Sequence, residues 1–221
     1  MKRNDIINEA RLLEITQNIQ AKYACHTIIL YGSRARGEST NSSDYDIIAI
    51  REQGDFERDC GIFDDFYLDV FVYSEEAIKN PDASLIRIKD GVVLFQKDHI
   101  GDSLLNTIKG IFQKGAPKTP AWEKHEIINW TRKMLQRAQE SDVEGNFRKH
   151  WLLYDLLECY FKMRDRWYLG PKESFQWLKV NDPNIYSAFE VALKANSTFN
   201  EIENLINNVA PLGSEDKHRM E

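Results

Sequence analysis

The feature that most constrains the fold is a short apolar segment ending in Gly-Ser, followed by an Asp-x-Asp pair that opens a second apolar segment. The first segment, Thr27 to Tyr31, predicts a strand that ends at Gly32-Ser33. The second segment, Ile47 to Ile50, predicts another strand. Because side chains alternate along a strand, Asp44 and Asp46 are expected on the same face.

The Gly-Ser corner has the composition of an anion-binding turn. Gly32 has no Cβ that would obstruct a bulky anion. Ser33 is favourable as a helix N-cap, where unpaired N–H groups attract negative charge. Arg34 and Arg36 add positive charge beside it. We therefore predict that these four residues bind phosphate.

A third acidic residue, Asp69, is the only charged residue in the apolar segment from Phe66 to Val72. Burying an unpaired charge is unfavourable, so Asp69 needs a partner. Asp44 and Asp46 repel each other unless a cation lies between them, and Mg²⁺ commonly binds carboxylates together with substrate phosphates. The sequence predicts a Mg²⁺ site formed by these three aspartates. The alternative, a turn followed by two solvated surface aspartates, leaves the position of Asp69 without a reason.

The chain of 221 residues contains a linker-like segment rich in proline and glycine, Lys114 to Pro120. Predicted strands occur only upstream of it. We predict an α+β protein, with a domain of mixed sheet and flanking helices at 1–115 that carries these motifs, an all-α helical bundle at 120–212 and a flexible tail at 213–221. In the first domain, the segment from Arg51 to Gly61 is predicted to be an exposed loop. In the second, the strongly apolar segment from Phe147 to Trp167 is predicted to be a helix at the centre of the bundle.

Charge and cysteine content narrow the classes of partner. The net charge is −6, and no basic stripe of the kind that binds long nucleic acids is evident. No apolar run reaches the roughly 18 residues of a membrane span. The three cysteines are far apart, which is typical of reduced thiols in the cytoplasm. We expect a cytoplasmic protein that acts on a small molecule, and neither on nucleic acid nor at a membrane.

Together these motifs resemble the nucleotidyltransferase superfamily that includes DNA polymerase beta. Its signature is Gly-Ser, about ten residues, Asp-x-Asp and a third acid on a neighbouring strand, which corresponds here to Gly32-Ser33, Asp44-Tyr45-Asp46 and Asp69. The resemblance implies transfer of a nucleoside monophosphate, AMP from ATP, to a hydroxyl of a small molecule, with two Mg²⁺ ions. Nucleotidylation of a protein and a non-catalytic nucleotide-binding module are the alternatives.

Two stretches further resemble enzymes of the kanamycin nucleotidyltransferase type, Tyr67 to Glu76 and Glu158 to Lys162. This resemblance implies that Glu158 is the general base and that Lys162 contacts a nucleotide phosphate. Asp69, and Asp155 one turn before Glu158, are alternative bases. It also implies an aminoglycoside-like acceptor, as in antibiotic resistance, and a homodimer. Positions i and i+4 share a helix face, so Glu158 and Lys162 can act at one place; an ordinary surface ion pair is the alternative.

Overall fold

The computed structural model describes residues 3–140 and 142–212 of the chain. They divide into two compact units, one up to Lys114 and the other from Gly115 onward. The first unit contains a sheet with helices, and the described part of the second contains helices. The α+β class predicted from the sequence is therefore confirmed. The predicted tail at 213–221 lies outside the described residues.

The first unit is built on a mixed five-stranded sheet. Its elements are α1 Arg3–Tyr23, β1 Thr27–Tyr31, α2 Gly32–Ala35, β2 Tyr45–Arg51, β3 Glu57–Phe63, β4 Phe66–Ser74, two 3₁₀ helices at Glu76–Ile78 and Ala83–Ile88, β5 Val92–Phe95 and α3 Ile100–Gln113. The strands lie in the order β3-β4-β2-β1-β5. β2 and β4 run parallel, and the other neighbouring strands run antiparallel.

One face of this sheet packs against α1. β1 and β2 are rich in isoleucine, whose branched side chain favours strands. Ile28 and Ile47 lie in one buried cluster with Ile15 and Ile19 of the helix. Apolar burial of this kind contributes roughly 25 cal/mol per Å². Since the helix covers one set of alternating strand residues, the other set, which includes Asp46, is presented on the opposite face.

The prediction of an exposed loop from Arg51 to Gly61 is wrong in its second half, because Glu57–Phe63 forms the edge strand β3. In this strand exposed and half-buried side chains alternate, but the residues themselves do not alternate between polar and apolar. The hydrophobic period of two that reveals other strands is therefore missing. Arg58 and Cys60 share one face of the sheet, and Asp59 lies on the other.

The second unit contains five helices within residues 115–140 and 142–212. They are α4 Ala121–Arg137, α5 Val143–Met163, α6 Pro171–Asn181, α7 Pro183–Ala192 and α8 Phe199–Val209. Polar side chains cap several of them: Asp142 accepts a hydrogen bond from the Gly145 N–H at 2.7 Å, and Thr198 with Glu201 forms a capping box on α8. Among the described helices of the whole chain, none combines the length and the apolar character needed to cross a membrane.

Helix α5 contributes heavily to the core of this unit, with Leu152 and Leu156 completely buried. It begins and ends about one turn earlier than predicted, because Asp142 caps it at Val143. Part of its apolar circumference is nevertheless exposed. The side chains of Trp151 and Tyr154 are 45% and 70% exposed, and Val143 and Phe147 are exposed along the same side of the helix.

Candidate active site

Two of the predicted metal ligands lie side by side on neighbouring strands. In the parallel pairing of β2 with β4, Asp46 is directly opposite Asp69. Both are half-buried, whereas Asp44, one residue before β2, is exposed. Asp44 lies outside β2, so strand alternation fixes the face of Asp46 but not that of Asp44. The parallel register therefore brings Asp46 beside Asp69, and Asp44 lies two residues before Asp46.

Gly32 closes this corner against Asp46. Tyr31, the last residue of β1, pairs with Asp46, and the chain turns immediately afterwards at Gly32 with φ +72°. A Cβ built on Gly32 would lie 2.2 Å from Oδ2 of Asp46, a distance that two non-bonded atoms do not tolerate. Glycine is needed here both for the backbone conformation and for the close approach of the carboxylate.

The prediction that Ser33 is a helix N-cap is wrong. Helix α2 already begins at Gly32, its N-cap is Tyr31, and no side chain caps it. The positive φ of Gly32 turns the chain directly out of β1, so the helix begins two residues earlier than it would with Ser33 as its N-cap. Ser33 is half-buried in the first turn, and its carbonyl oxygen accepts the Glu38 N–H at 2.9 Å.

Arg34 is bound to the loop that precedes β2. Its Nε donates to the carbonyl oxygens of Ser43 and Asp44, each at 3.1 Å, and its Nη2 also donates to Ser43. Its guanidinium lies 3.9 Å from the centre of the Tyr45 ring, a distance typical of cation–π stacking. Arg34 therefore positions Asp44. Arg36 instead donates from Nε to Oε2 of Glu38 at 3.0 Å.

The carboxyl of Asp46 has a raised pKa. Burial is the largest cause, and the negative charges of Asp69 and Asp44 add to it. The positive charges of Arg87 and Arg36 act in the opposite direction. The negative charges of these acids therefore repel one another, as predicted, and a bound cation would reduce that repulsion.

Asp69 has partners on the neighbouring strand. Arg58 of β3 donates from Nε to Oδ1 and from Nη2 to Oδ2, each at 2.9 Å, and the Cys60 thiol donates to Oδ1 at 3.2 Å. The hydrogen-bonded Arg58 is the main reason that the pKa of Asp69 is lowered. Sequence reasoning missed both partners because their strand was interpreted as a loop.

A second missed arginine, Arg87, lies in the 3₁₀ helix Ala83–Ile88. Its guanidinium is 4.2 Å from the centre of the Phe71 ring and 5.5 Å from that of Tyr31. Its charge favours the ionised forms of Asp46 and Asp69. An arginine inside the otherwise apolar run Leu85 to Ile88 is the signal that could have identified it.

The chemistry of this donor set fits a hard divalent cation, because the three predicted carboxylates offer the oxygen ligands that Mg²⁺ prefers. Among the described residues, the Asp46 carboxylate has no hydrogen-bond or ion-pair partner, in contrast to that of Asp69. Within residues 3–140 and 142–212, however, no three His, Cys, Asp or Glu side chains are grouped closely enough to hold a metal ion as they stand. For Asp69 to act as a ligand, it has to exchange its hydrogen bonds with Arg58 and Cys60.

The predicted pair in the helical unit is also present. Nζ of Lys162 lies 3.2 Å from Oε1 of Glu158, one turn away on α5, and 3.8 Å from Oε1 of Glu123. Both partners are nearly half exposed, and such a pair stabilises a helix by roughly 0.2–0.5 kcal/mol. The ion pair is therefore consistent both with an ordinary surface contact and with a role in catalysis.

These side chains line a cavity of about 220 Å³ formed by Ile127, Trp130, Asp155, Glu158, Cys159 and Lys162. Burial raises the pKa of Asp155, and the negative charge of Glu158 adds to that shift. Burial likewise raises the pKa of the Cys159 thiol to about 12, so the thiol is protonated at neutral pH. All three cysteines are free, with Cys60 exposed and Cys25 buried like Cys159.

Comparisons with known proteins include one distant structural likeness. No protein-family model and no curated protein matches the chain. A solved structure of a nucleotidyltransferase-like protein from Exiguobacterium sibiricum 255-15 is similar, with a TM-score of 0.41 and 13% identity, and the match covers 87% of this chain and 73% of that protein. Likeness at this level assigns neither a family nor a reaction.

Proposed function

We propose that the chain is a nucleotidyltransferase that moves AMP from ATP to a hydroxyl of a small molecule, using Mg²⁺ bound by Asp44, Asp46 and Asp69. The observation that carries this proposal is the parallel register of β2 and β4, which brings Asp46 beside Asp69. It does so at a glycine corner where any larger residue would collide with the Asp46 carboxylate. Carboxylates beside a turn made by glycine support the binding of a cation together with a triphosphate.

The phosphates would bind at α2. The first turn of a helix leaves backbone N–H groups without partners inside the helix, and Ser33 adds a hydroxyl in that turn. Arg36 contributes positive charge close enough to lower the pKa of Asp46, while Arg34 keeps the backbone of Asp44 in place. When bound, Mg²⁺ neutralises phosphate charge and stabilises the entering and leaving oxygens.

As the general base, Glu158 is favoured over Asp69. The Arg58 guanidinium lowers the pKa of Asp69, and a carboxylate with a lowered pKa takes a proton less readily. Glu158 has one side-chain partner, Lys162, and lies on the wall of a cavity that can receive part of a small molecule. Lys162 is the proposed contact for a phosphate oxygen. The negative net charge of the chain favours a neutral or cationic acceptor, of which aminoglycoside-like compounds are one class.

The test is incubation with Mg²⁺ and ATP labelled at the α-phosphate, first with a panel of hydroxylated compounds that includes aminoglycosides and then with a cell lysate. Label in a small molecule supports the proposal. Label in protein bands would make a protein the acceptor. Binding of ATP without Mg²⁺-dependent release of pyrophosphate would leave a non-catalytic nucleotide-binding module and overturn the proposal.

Two variants make this test specific to the site. Asp46→Asn removes the carboxylate that lies against Gly32 and is expected to abolish label transfer. Asp65→Asn is the matched control, because Asp65 is an exposed turn residue between β3 and β4 with φ +69°, a conformation that asparagine also adopts readily. The control is expected to keep full activity.

A further inference from the structure

Arg58 and Cys60 occupy the oxygens of Asp69 that a cation would need. The guanidinium makes two parallel hydrogen bonds of 2.9 Å, one to each carboxylate oxygen, and the thiol adds a third at 3.2 Å. An ionised carboxylate has about four acceptor positions, so most of those on Asp69 are already used. Asp46, directly opposite on β2, has no such partner within the part of the chain that the structure describes.

The two strands place Arg58 for this contact. Cys60 is paired with Asp69 across β3 and β4, and Arg58 is paired with Phe71. The Arg58 side chain lies 4.9 Å from the centre of the Phe71 ring and reaches along the strand to the carboxylate. Because the Arg58 side chain is 54% exposed and that of Asp69 only 23%, the guanidinium can leave into solvent while the carboxylate stays where it is.

We propose that Arg58 and a divalent cation compete for Asp69. This inference rests on the proposed function, since it assumes that Asp69 is a metal ligand. Without a cation, the guanidinium neutralises one of the three neighbouring acids and holds the carboxylate toward β3. When a cation binds, it takes over the carboxylate oxygens and displaces the guanidinium, because both are positive and need the same lone pairs. Arg58 is therefore a positioning residue that sets how tightly the site binds metal before nucleotide arrives.

The experiment is a titration of the nucleotide-free protein with Mn²⁺, a spectroscopically visible substitute for Mg²⁺, with free Mn²⁺ measured by electron paramagnetic resonance. Arg58→Gln is expected to bind Mn²⁺ about three- to fivefold more tightly than the wild type, as the release of a partly exposed ion pair implies. Arg58→Lys keeps the charge but loses the two-pronged contact, and an intermediate affinity is expected. Circular dichroism and the melting temperature of each variant verify folding.

Two controls separate competition from a general effect of charge. Lys79→Gln removes a positive charge from an exposed side chain of the same unit and is expected to leave Mn²⁺ affinity unchanged. In an Asp69→Asn background, Arg58→Gln is expected to make no difference, because the shared carboxylate charge is gone.

The titration tests both the role of Arg58 and the metal site itself. Equal or weaker Mn²⁺ binding by Arg58→Gln, or the same gain in the Asp69→Asn background, overturns the role of Arg58 while leaving the proposed function intact. If neither the wild type nor Arg58→Gln binds Mn²⁺, the metal site itself is refuted, and the proposed function fails with it.

Discussion

Gly32 lies directly against the carboxylate of Asp46, at the point where β1 ends. A Cβ at position 32 would lie 2.2 Å from Oδ2 of Asp46 and 3.0 Å from its Cγ. The contact is fixed by the sheet, since Tyr31 and Asp46 are paired residues. The position of the central acid in this site therefore depends on the absence of a side chain one residue beyond the neighbouring strand.

Gly32→Ala is expected to displace Asp46 and abolish both Mn²⁺ binding and label transfer. Gly37→Ala is the matched control, because Gly37 has the same φ of +72° but no atom within 4 Å of a Cβ. Gly37→Ala measures the backbone strain alone, which costs about 1–2 kcal/mol. Gly32→Ala is expected to lower the free energy of unfolding by more than Gly37→Ala does. Urea unfolding and Mn²⁺ titration test this; equal effects of the two changes would contradict it.

Asp44→Asn is expected to abolish transfer while leaving the melting temperature unchanged or slightly raised. The reason is that the change removes a proposed metal ligand and also relieves repulsion with Asp46. Differential scanning fluorimetry and the labelled-ATP assay measure the two effects on the same sample. Full activity of this variant would show that the metal assignment is wrong.

Asp59 makes the stability of the sheet unit depend on pH. It accepts a hydrogen bond from Lys22 at 2.6 Å and another from the Tyr23 hydroxyl, and the Lys22 contact is the main reason that its pKa is lowered. A carboxyl with a lowered pKa stabilises the fold above its unfolded pKa of about 3.9, and this contribution is lost as pH falls through the folded value.

Asp59→Asn is therefore expected to lower the melting temperature at pH 7 by a few degrees, roughly the effect of one partly exposed ion pair. The difference from the wild type is expected to shrink below about pH 4. Asp55→Asn, a change at an exposed residue just before β3, serves as the control and is expected to have no such pH-dependent effect. A deficit that stays constant down to pH 3 would argue against the charged contact.

Glu158→Gln is expected to reduce transfer strongly with little change in melting temperature, since an exposed i,i+4 pair contributes little to stability. Asp155→Asn tests the rival base on the same helix, and Glu190→Gln, at an exposed position of α7, is the control. The transfer rates of the three variants are compared at saturating ATP and acceptor. If Asp155→Asn removes activity and Glu158→Gln does not, Asp155 is the base.

Much of the fold could be predicted from the sequence where a regular pattern is present. The apolar runs that became β1, β2 and β4 are recognisable because their residues are almost uniformly suited to strands. The spacing of Asp44 and Asp46 then indicates a shared face. That Asp69 lies directly opposite Asp46 required the register of two parallel strands, which the sequence does not encode locally.

What the sequence could not predict depends on long-range contacts. β3 has no apolar alternation because it is a charged edge strand, so its Arg58 was not recognised as a partner of Asp69. Arg87 reaches the site from a 3₁₀ helix that folds back over the sheet residue Phe71. The N-cap of α2 was misplaced by two residues, because the sequence does not show that Gly32 turns the chain out of β1 with a positive φ.

Side chains of β3 alternate between the two faces of the sheet, with Arg58 on the face of Asp69 and Asp59 on the other. The length of the turn between β3 and β4 therefore decides which charge lies beside Asp69. A slip of one residue would exchange the two faces of β3, and the carboxylate of Asp59 would then replace the Arg58 guanidinium on the face that carries Asp69. An inserted or deleted residue at Asp64-Asp65 could thus convert an attractive neighbour into a repulsive one without altering any acid in the motif.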